Sequence, residues 1–436
     1  MRQYLEKLTS AGDLLEIARE VDPRFELAAV TRAAQRAGDK VLLFPRVRGS
    51  RMPVVTNVFG SRRRLLELVG ASDRRFAPRF AALCAEPSTT PAREAAPVSV
   101  ERAEGTLADL PAITYFERDG GPYLTSAIFL AREPDSGVAN LSFHRSMICG
   151  ERELRVRLGA SHDLARYQAI AEQRGKPLEA AILLGTAPEI FLGACASLPY
   201  EADELELAAR LRGAPLPWER CKTIDLAVPA DTEIVIEGRF LPNVRRPEGP
   251  FGEFMGYYVE VGDNHVFEVS RVAWRPGAVF HSILCQSPED IYPLEYAIAT
   301  RIYAALAKQV PGILDVACKS ALLATVIQLN PAYDGHAHHA LLAAVGTHLD
   351  YNKLVIAVDE DVDPTDYEDV LWAFLTRGRA DTRSTILRDV PGFYRDPMKD
   401  HWGRLLIDAT RPLSREAEFE RKRIPGQDRV RLEDYL

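Results

Sequence analysis

Polar side chains gather first in residues 140–145, which read Asn-Leu-Ser-Phe-His-Arg. This alternation predicts a β-strand in which Asn140, Ser142 and His144 face one way and Arg145 faces the other. A polar strand face either meets solvent or lines a binding site, and the segment by itself leaves both possibilities open. Arg145 adds a guanidinium, which stays charged and binds carboxylates through two parallel hydrogen bonds.

A second group lies in residues 246–253, Arg-Pro-Glu-Gly-Pro-Phe-Gly-Glu. Two prolines and two glycines within eight residues predict a tight loop with a pre-ordered backbone. Rigid loops between strands commonly hold ligands, so Glu248 and Glu253 are candidate site carboxylates. An ordinary surface turn that carries acidic side chains is the alternative.

A third group, residues 287–295, reads Ser-Pro-Glu-Asp-Ile-Tyr-Pro-Leu-Glu and opens a predicted helix. Acidic side chains in a first helical turn interact favourably with the helix dipole, which alone would explain Glu289 and Asp290. The dipole explains Glu295 less well if the following helix buries that face. Glu295 is therefore a candidate functional acid.

The elements that must position these groups fall into three stretches. Residues 1–95 alternate predicted helices and strands, as in an α/β layer, and a proline-rich linker is predicted at 85–98. Residues 96–300 contain segments of period-2 alternation, which predict half-buried antiparallel strands in a barrel-like domain with attached helices. These segments are 152–158, 232–240 and 266–274. Residues 301–436 return to α/β alternation, so we predict a mixed α/β (α+β) fold of three domains.

Composition narrows the class of protein. A chain of 436 residues, 47% of them hydrophobic, is long enough for two or three domains. The net charge of -8 argues against a nucleic-acid binder. The scattered cysteines include no CxxC pair, which fits reduced thiols in a cytoplasmic protein. No apolar run of about 18 residues is present, so we expect no membrane span, and we see no secretory signal.

Taken in order, the polar motifs resemble those of the UbiD decarboxylase family. The most specific match is residues 245–258, Arg-Arg-Pro-Glu-Gly-Pro-Phe-Gly-Glu-Phe-Met-Gly-Tyr-Tyr, which are close to the family's PEGP[FY]G loop. Asn140 and Arg145 match its Asn…Arg strand, and His162 follows at the expected distance. The C-terminal domain is matched by Asp361-Val-Asp-Pro, by residues 369–377 and by Ile407-Asp-Ala-Thr.

The resemblance implies an N-terminal α/β segment, a central split β-barrel that binds flavin, and a C-terminal α/β domain used in oligomer contacts. It implies prenylated FMN as the cofactor, with Mn²⁺ at the flavin phosphate held by Asn140, His162 and Glu248. Oxygen ligands with one imidazole suit manganese better than zinc, and the cation offsets the phosphate charge. A K⁺ ion usually lies nearby. The other implied contacts to the cofactor are Thr125, Ser126, Ser142, Phe143, Arg145, Ser197, Leu198, Pro199 and Lys399.

The resemblance also implies a reversible carboxy-lyase acting on an aromatic, heteroaromatic or α,β-unsaturated acid, with the flavin as electron sink. Arg145 would orient the substrate carboxylate and Glu295 would be the general acid and base. Asp290 would complete an Arg–acid–acid chain, although the family more often has Glu there, and Glu289 is the alternative. An acid held against Arg145 stays ionised, while a second acid in a drier pocket keeps its proton.

The implied partners are a flavin prenyltransferase that supplies the cofactor and further copies of the chain, in a dimer or a hexamer. The sequence does not identify the acid substrate. Two other functions remain open: an FMN-dependent reductase on a split barrel, and a non-catalytic UbiD-like assembly protein. The mass of the bound cofactor would distinguish them.

Overall fold

The computed structural model describes residues 1–73, 75–86, 91–200, 202–319, 322–347, 351–390, 392–393, 396–398, 403–426 and 429–435. The chain divides into two compact units, Met1–Ile298 and Ala299–Leu436. Each unit has its own apolar core, and helices and strands occur in both, which confirms the mixed fold class. The further boundary at residue 95 stays a prediction.

Helices occur in both units and are numbered in chain order. They are α1 (Arg2–Ser10), α2 (Glu26–Ala37), α3 (Arg62–Val69), α4 (Phe76–Ala85), α5 (Asp163–Gln173), α6 (Pro188–Cys195), α7 (Glu204–Arg212), α8 (Pro288–Leu306), α9 (His336–Thr347) and α10 (Tyr367–Arg377). Short 3₁₀ helices cover Leu107–Asp109, Leu413–Phe419 and Leu432–Tyr435.

The strands of the first unit are β1 (Leu14–Glu16), β2 (Val41–Phe44), β3 (Val54–Thr56), β4 (Ala103–Gly105), β5 (Tyr123–Leu124), β6 (Ile128–Arg132), β7 (Ala139–Phe143), β8 (Ser146–Ile148), β9 (Glu153–Val156), β10 (Leu178–Leu184), β11 (Trp218–Arg220), β12 (Ala227–Pro229), β13 (Ile234–Glu248), β14 (Phe251–Gly252), β15 (Tyr258–Val259), β16 (Gly262–Trp274) and β17 (Phe280–His281). The strands of the second unit are β18 (Ile313–Lys319), β19 (Ala324–Leu329), β20 (Leu354–Val358), β21 (Ser384–Leu387) and β22 (Arg404–Asp408).

The N-terminal segment forms a small mixed sheet with the order β1-β2-β3-β17. The predicted alternation of helices and strands is confirmed here by α1, β1, α2, β2 and β3. The last strand, β17, comes from far along the chain and pairs parallel to β3. The sequence pattern could not indicate this strand, which ties the N-terminal segment to the elements that precede α8.

The centre of the first unit is a curled antiparallel sheet of nine strands, with the order β5-β8-β9-β16-β13-β10-β6-β7 and β4 paired to β16. The expected barrel-like domain is therefore confirmed, in the form of a curled half-barrel sheet. Its interior is packed by Phe129, Phe240 and Phe267, and the ring centroids of Phe240 and Phe267 are 5.0 Å apart. Close packing of aromatic rings gives a rigid platform for side chains at the strand ends.

Strand β13 is longer than the predicted segment 232–240. Its pairing with β16 is irregular between Phe240 and Arg245 and then resumes, from Arg245 opposite His265 to Glu248 opposite Gly262. The predicted loop at 246–253 therefore begins inside a strand, and Glu248 is the last residue of β13. This position fixes the Glu248 backbone through ladder hydrogen bonds.

The second unit contains a five-stranded sheet, β18-β19-β20-β22-β21, with parallel pairing between β19, β20 and β22. Its core includes Val326, Ile356, Val358 and Ile407. None of the helices in the described part of the chain has the length and hydropathy required for a bilayer crossing. The described residues contain no disulfide, as expected from the cysteine spacing.

Candidate active site

Arg145 lies between two buried carboxylates in the first unit. Its Nε donates to Oε1 of Glu248 at 3.1 Å and its Nη2 donates to Oε2 at 3.1 Å, while Nη1 donates to Oε1 of Glu253 at 3.1 Å. Glu248 is 1% exposed and Glu253 is 7% exposed. The guanidinium also lies 4.8 Å from the centroid of the Phe251 ring. Arg145 thus holds two acids in one network within a dry site.

Several strands bring this network together. Arg145 lies in the short link between β7 and β8, Glu248 ends β13 and Glu253 follows β14. Tyr123 of β5 donates its hydroxyl to Oε1 of Glu248 at 2.9 Å, and Asn264 of β16 donates to Oε2 at 2.8 Å. Burial raises the pKa of Tyr123, so this phenol remains a donor. These donors balance the desolvation cost of burying Glu248.

Asn140, one of the predicted metal ligands, is hydrogen-bonded to another buried acid, Glu204. Nδ2 of Asn140 donates to Oε1 of Glu204 at 3.2 Å, and the Leu141 N–H donates to Oε2 of Glu204 at 2.9 Å. Both carboxylate oxygens of Glu248 accept hydrogen bonds, from Arg145, Tyr123 and Asn264. The sequence predicted instead that Glu248 would bind a metal ion together with Asn140. Glu204 could not be recognised from its sequence context, because an acid in the first turn of α7 is explained by the helix dipole.

The polar face predicted for residues 140–144 is confirmed. Ser142 Oγ donates to Asn140 Oδ1 at 2.9 Å and lies 2.9 Å from His144 Nε2. The His144 ring centroid is 5.2 Å from that of His162, which precedes α5 and is exposed. Burial, with a contribution from His162, places the pKa of His144 well below its usual value, so this imidazole is neutral.

Glu204 is the buried acid that contacts Asn140 and the Leu141 backbone. It is 4% exposed, and burial raises its pKa to about 8, although the Leu141 backbone N–H works in the opposite direction. No three His, Cys, Asp or Glu side chains converge as a metal site within the described ranges. A cation bound here would therefore depend on an amide oxygen such as that of Asn140.

Glu289 has a structural setting that differs from the predicted catalytic one. Its Oε2 accepts from the Asn57 N–H at 2.5 Å, and its Oε1 accepts from the Phe59 N–H at 3.0 Å and lies 2.9 Å from His281 Nε2. The side chain is 1% exposed. Glu289 therefore joins the first turn of α8 to the N-terminal segment, because its lone pairs satisfy backbone donors there.

Glu295 is paired with Arg62 of α3. The Arg62 guanidinium lies over the Tyr292 ring, 4.0 Å from its centroid. The sequence predicted Glu295 as the acid of the Arg145 network, whereas the acids that form ion pairs with Arg145 are Glu248 and Glu253. The pair with Arg62 gives this buried acid a second role, which is to join α8 to α3, and its catalytic role stays a prediction.

Asp290 lies in the first turn of α8, beside the Cys285 thiol. Its Oδ2 accepts from the Gln286 N–H at 2.7 Å, and its carboxyl is hydrogen-bonded to the Cys285 thiol. Arg145 is close enough to Cys285 to affect the pKa of that thiol. Burial raises the pKa of Asp290 to about 6. The predicted chain from Arg145 to Asp290 stays a prediction.

Replacement of Asp290 by Asn is expected to stabilise the fold at neutral pH. Because the pKa of Asp290 is raised from 3.8 to about 6 on folding, the native state loses stability as pH rises through this window. The cost is absent below pH 3.8 and complete above about 6, where it amounts to about 2–3 kcal/mol. Urea unfolding of Asp290→Asn and wild type between pH 4 and pH 8 measures it. An equal difference at both ends of that range would contradict the assignment.

Three of the predicted flavin contacts, Thr125, Ser126 and Phe143, interact with other residues of the protein. Thr125 Oγ1 is bonded to the Tyr115 hydroxyl at 2.9 Å and to the Ile283 N–H at 3.0 Å, and Ser126 donates to the His281 carbonyl at 2.6 Å. These two hydroxyls are used within the protein. Phe143 lies edge-on to Phe191, with centroids 5.1 Å apart.

The other predicted flavin contacts are three residues that follow α6 and one lysine near the C-terminus. Ser197, Leu198 and Pro199 follow α6, and the last two line a cavity of about 710 Å³ that also borders Ala139. Lys399 lies outside the described residues.

Family models match most of the chain. The N-terminal domain of 3-octaprenyl-4-hydroxybenzoate carboxy-lyase matches residues 5–84, the Rift-related domain of that enzyme matches 89–288, and its C-terminal domain matches 292–409. The chain is 32% identical over 428 residues to the anhydromevalonate phosphate decarboxylase of Methanothermobacter thermautotrophicus, which covers 97% of this chain and 99% of that protein.

The chain is also similar to solved structures of UbiD-class enzymes. The UbiD-class enzyme HmfF from Pelotomaculum thermopropionicum in complex with FMN is 35% identical, has a TM-score of 0.93, and covers 100% of this chain and 99% of that chain. An evolved dimeric form of HmfF in complex with prFMN is 35% identical, has a TM-score of 0.89, and covers the same shares.

Proposed function

The chain belongs to the UbiD family of decarboxylases, and on this premise we propose that it uses prenylated FMN to release CO₂ from an aromatic, heteroaromatic or α,β-unsaturated acid. The observation that carries the proposal is the buried Glu248–Arg145–Glu253 network. A permanent cation between two acids can both orient a substrate carboxylate and keep a proton donor in place.

Arg145 is the proposed carboxylate-orienting residue. A guanidinium has five N–H groups, and the hydrogen bonds to Glu248 and Glu253 use three of them. Two N–H groups remain to bind a substrate carboxylate, as far as the described residues show. The bidentate contact with Glu248 and the Phe251 ring fix the plane of the guanidinium, so little orientation entropy is lost on binding.

Glu253 is the proposed general acid. The bound flavin would supply the electron sink for the pair left on carbon when CO₂ departs. Glu253 would then donate its proton to that carbon, because it contacts the same guanidinium that orients the substrate carboxylate. Glu248 is the bidentate partner that holds Arg145.

Asn140, His162 and Glu204 fit a divalent cation at the flavin phosphate better than the predicted set with Glu248. Glu204 is buried, and among the described residues its hydrogen-bond donors are a neutral amide and a backbone N–H. The described contacts of Glu204 therefore include no cationic side chain, in agreement with its raised pKa, and a bound cation would let it ionise, whereas Glu248 is already paired with Arg145. One carboxylate, one amide oxygen and one imidazole suit manganese.

Co-expression with a flavin prenyltransferase tests the proposed function. We expect the purified protein to release a cofactor with the mass of prenylated FMN, and to release CO₂ from at least one acid in a screen of aromatic and α,β-unsaturated acids. The screen includes anhydromevalonate phosphate, the acid named for a relative. Ordinary FMN with oxidation of a nicotinamide would indicate the reductase, and a protein without flavin would indicate the assembly role.

A further inference from the structure

The loop around Asp119 lies next to the catalytic network but contributes no residue to it. The Asp119 carboxylate accepts three backbone N–H groups: Oδ2 accepts from Tyr115 at 3.3 Å and Phe116 at 2.9 Å, and Oδ1 accepts from Gly252 at 2.9 Å. Gly252 is the residue immediately before Glu253. One carboxylate therefore connects its own loop to the backbone that carries the proposed general acid.

The two loops approach each other so closely that side chains are excluded from the contact. The Gly120 N–H donates to the Pro250 carbonyl at 2.8 Å, and a Cβ on Gly120 would lie 2.2 Å from the Gly249 oxygen. A Cβ on Gly252 would lie 2.3 Å from the Phe116 ring. Both distances are far below van der Waals contact, so the glycines allow the loops to interlock.

We propose that Asp119 is a positioning residue, which sets Glu253 against Arg145 through the Gly252 N–H. The inference rests on the proposed function, in which Glu253 donates a proton. Without an acceptor for Gly252, the Gly120–Pro250 hydrogen bond remains but the backbone next to Glu253 is released, and the Glu253 carboxyl moves relative to the reacting carbon. A displacement of about 1 Å can cost about 10²-fold in rate.

The electrostatic setting of Asp119 agrees with this role. Burial raises the pKa of its carboxyl, and the N–H groups of Gly252, Phe116 and Tyr115, followed by the charge of Arg145, act in the opposite direction. Asp119 thus lies close enough to Arg145 to interact with its charge, although its oxygens are directed to backbone donors. Such multiple acceptance is typical of a carboxylate that orders a loop.

Asp119→Asn provides the first test, because the amide has nearly the same size but cannot accept at both ends. We expect kcat for CO₂ release to fall by about 10²-fold, with unchanged KM and unchanged absorbance of the bound flavin. Gly120→Ala, which keeps Asp119 but pushes the loops apart, is expected to give the same result. Glu117→Ala, an exposed acid in the same loop, is the matched control and should retain wild-type kcat.

The decisive measurement repeats both substitutions in a Glu253→Gln background. If Asp119 acts through Glu253, neither lowers kcat further, whereas effects that multiply would overturn the inference. If the proposed role of Glu253 as general acid is wrong, Glu253→Gln alone would keep wild-type kcat, and this result distinguishes that failure from a failure of the positioning role. Wild-type kcat in both Asp119→Asn and Gly120→Ala, beside an inactive Glu253→Gln, would overturn the positioning role alone.

Discussion

Glu253→Gln is expected to lower kcat for CO₂ release by about 10²–10⁴-fold, the contribution usual for a general acid. Glutamine keeps the shape of the side chain and can still accept from Arg145, but it has no carboxylic proton to donate. Flavin content and manganese content should remain unchanged, because the proposed cation ligands are Asn140, His162 and Glu204, whereas Glu253 is paired with Arg145. Initial rates of CO₂ release, with the flavin absorbance as the measure of loaded enzyme, determine the effect.

Glu295→Gln is the matched control, since it makes the same chemical change in another buried acid. Glu295 is paired with Arg62 of α3, so we expect a loss of stability of about 1.5–3 kcal/mol, the range for hydrogen bonds to charged groups. The kcat of correctly folded enzyme should stay near that of wild type. If Glu295→Gln were inactive while Glu253→Gln turned over normally, Glu295 would be the general acid, as the sequence motifs imply, and Glu253 would not.

Glu204→Gln is expected to remove the proposed manganese ion and the flavin together. A neutral amide cannot offset the charge of a cation at the flavin phosphate. We expect the affinity for manganese to fall by at least about 10–100-fold, which is typical even for residues that only orient the ligands of a metal site. Elemental analysis and flavin absorbance of the purified variant measure both occupancies. The far-ultraviolet circular dichroism of the variant establishes that the fold is intact.

Glu248→Gln tests whether Glu248 or Glu204 is the carboxylate ligand of the proposed manganese ion. It should keep manganese and flavin near wild-type occupancy, because Glu248 contacts Tyr123, Arg145 and Asn264. Its turnover should fall, because Arg145 loses its bidentate partner. Loss of the metal from Glu248→Gln but not from Glu204→Gln would return Glu248 to the ligand set.

Local sequence determined the fold class, the proline- and glycine-rich turn that follows Glu248, and the polar face of residues 140–144. These features depend on strand periodicity and on proline and glycine, which act over a few neighbouring residues. The family motifs were likewise readable, since they are short and contiguous. Arg145 was identified as a site residue for this reason.

Only the tertiary structure decided which partner each acid meets. Glu204 reaches Asn140 across 64 residues of sequence, and Glu248 reaches Arg145 across 103. Glu289 and Glu295 bind the N-terminal segment because β17 joins its sheet and α8 meets α3. The role of a carboxylate depends on the donors and charges around it, and those are set by strand register and helix packing that no local pattern encodes.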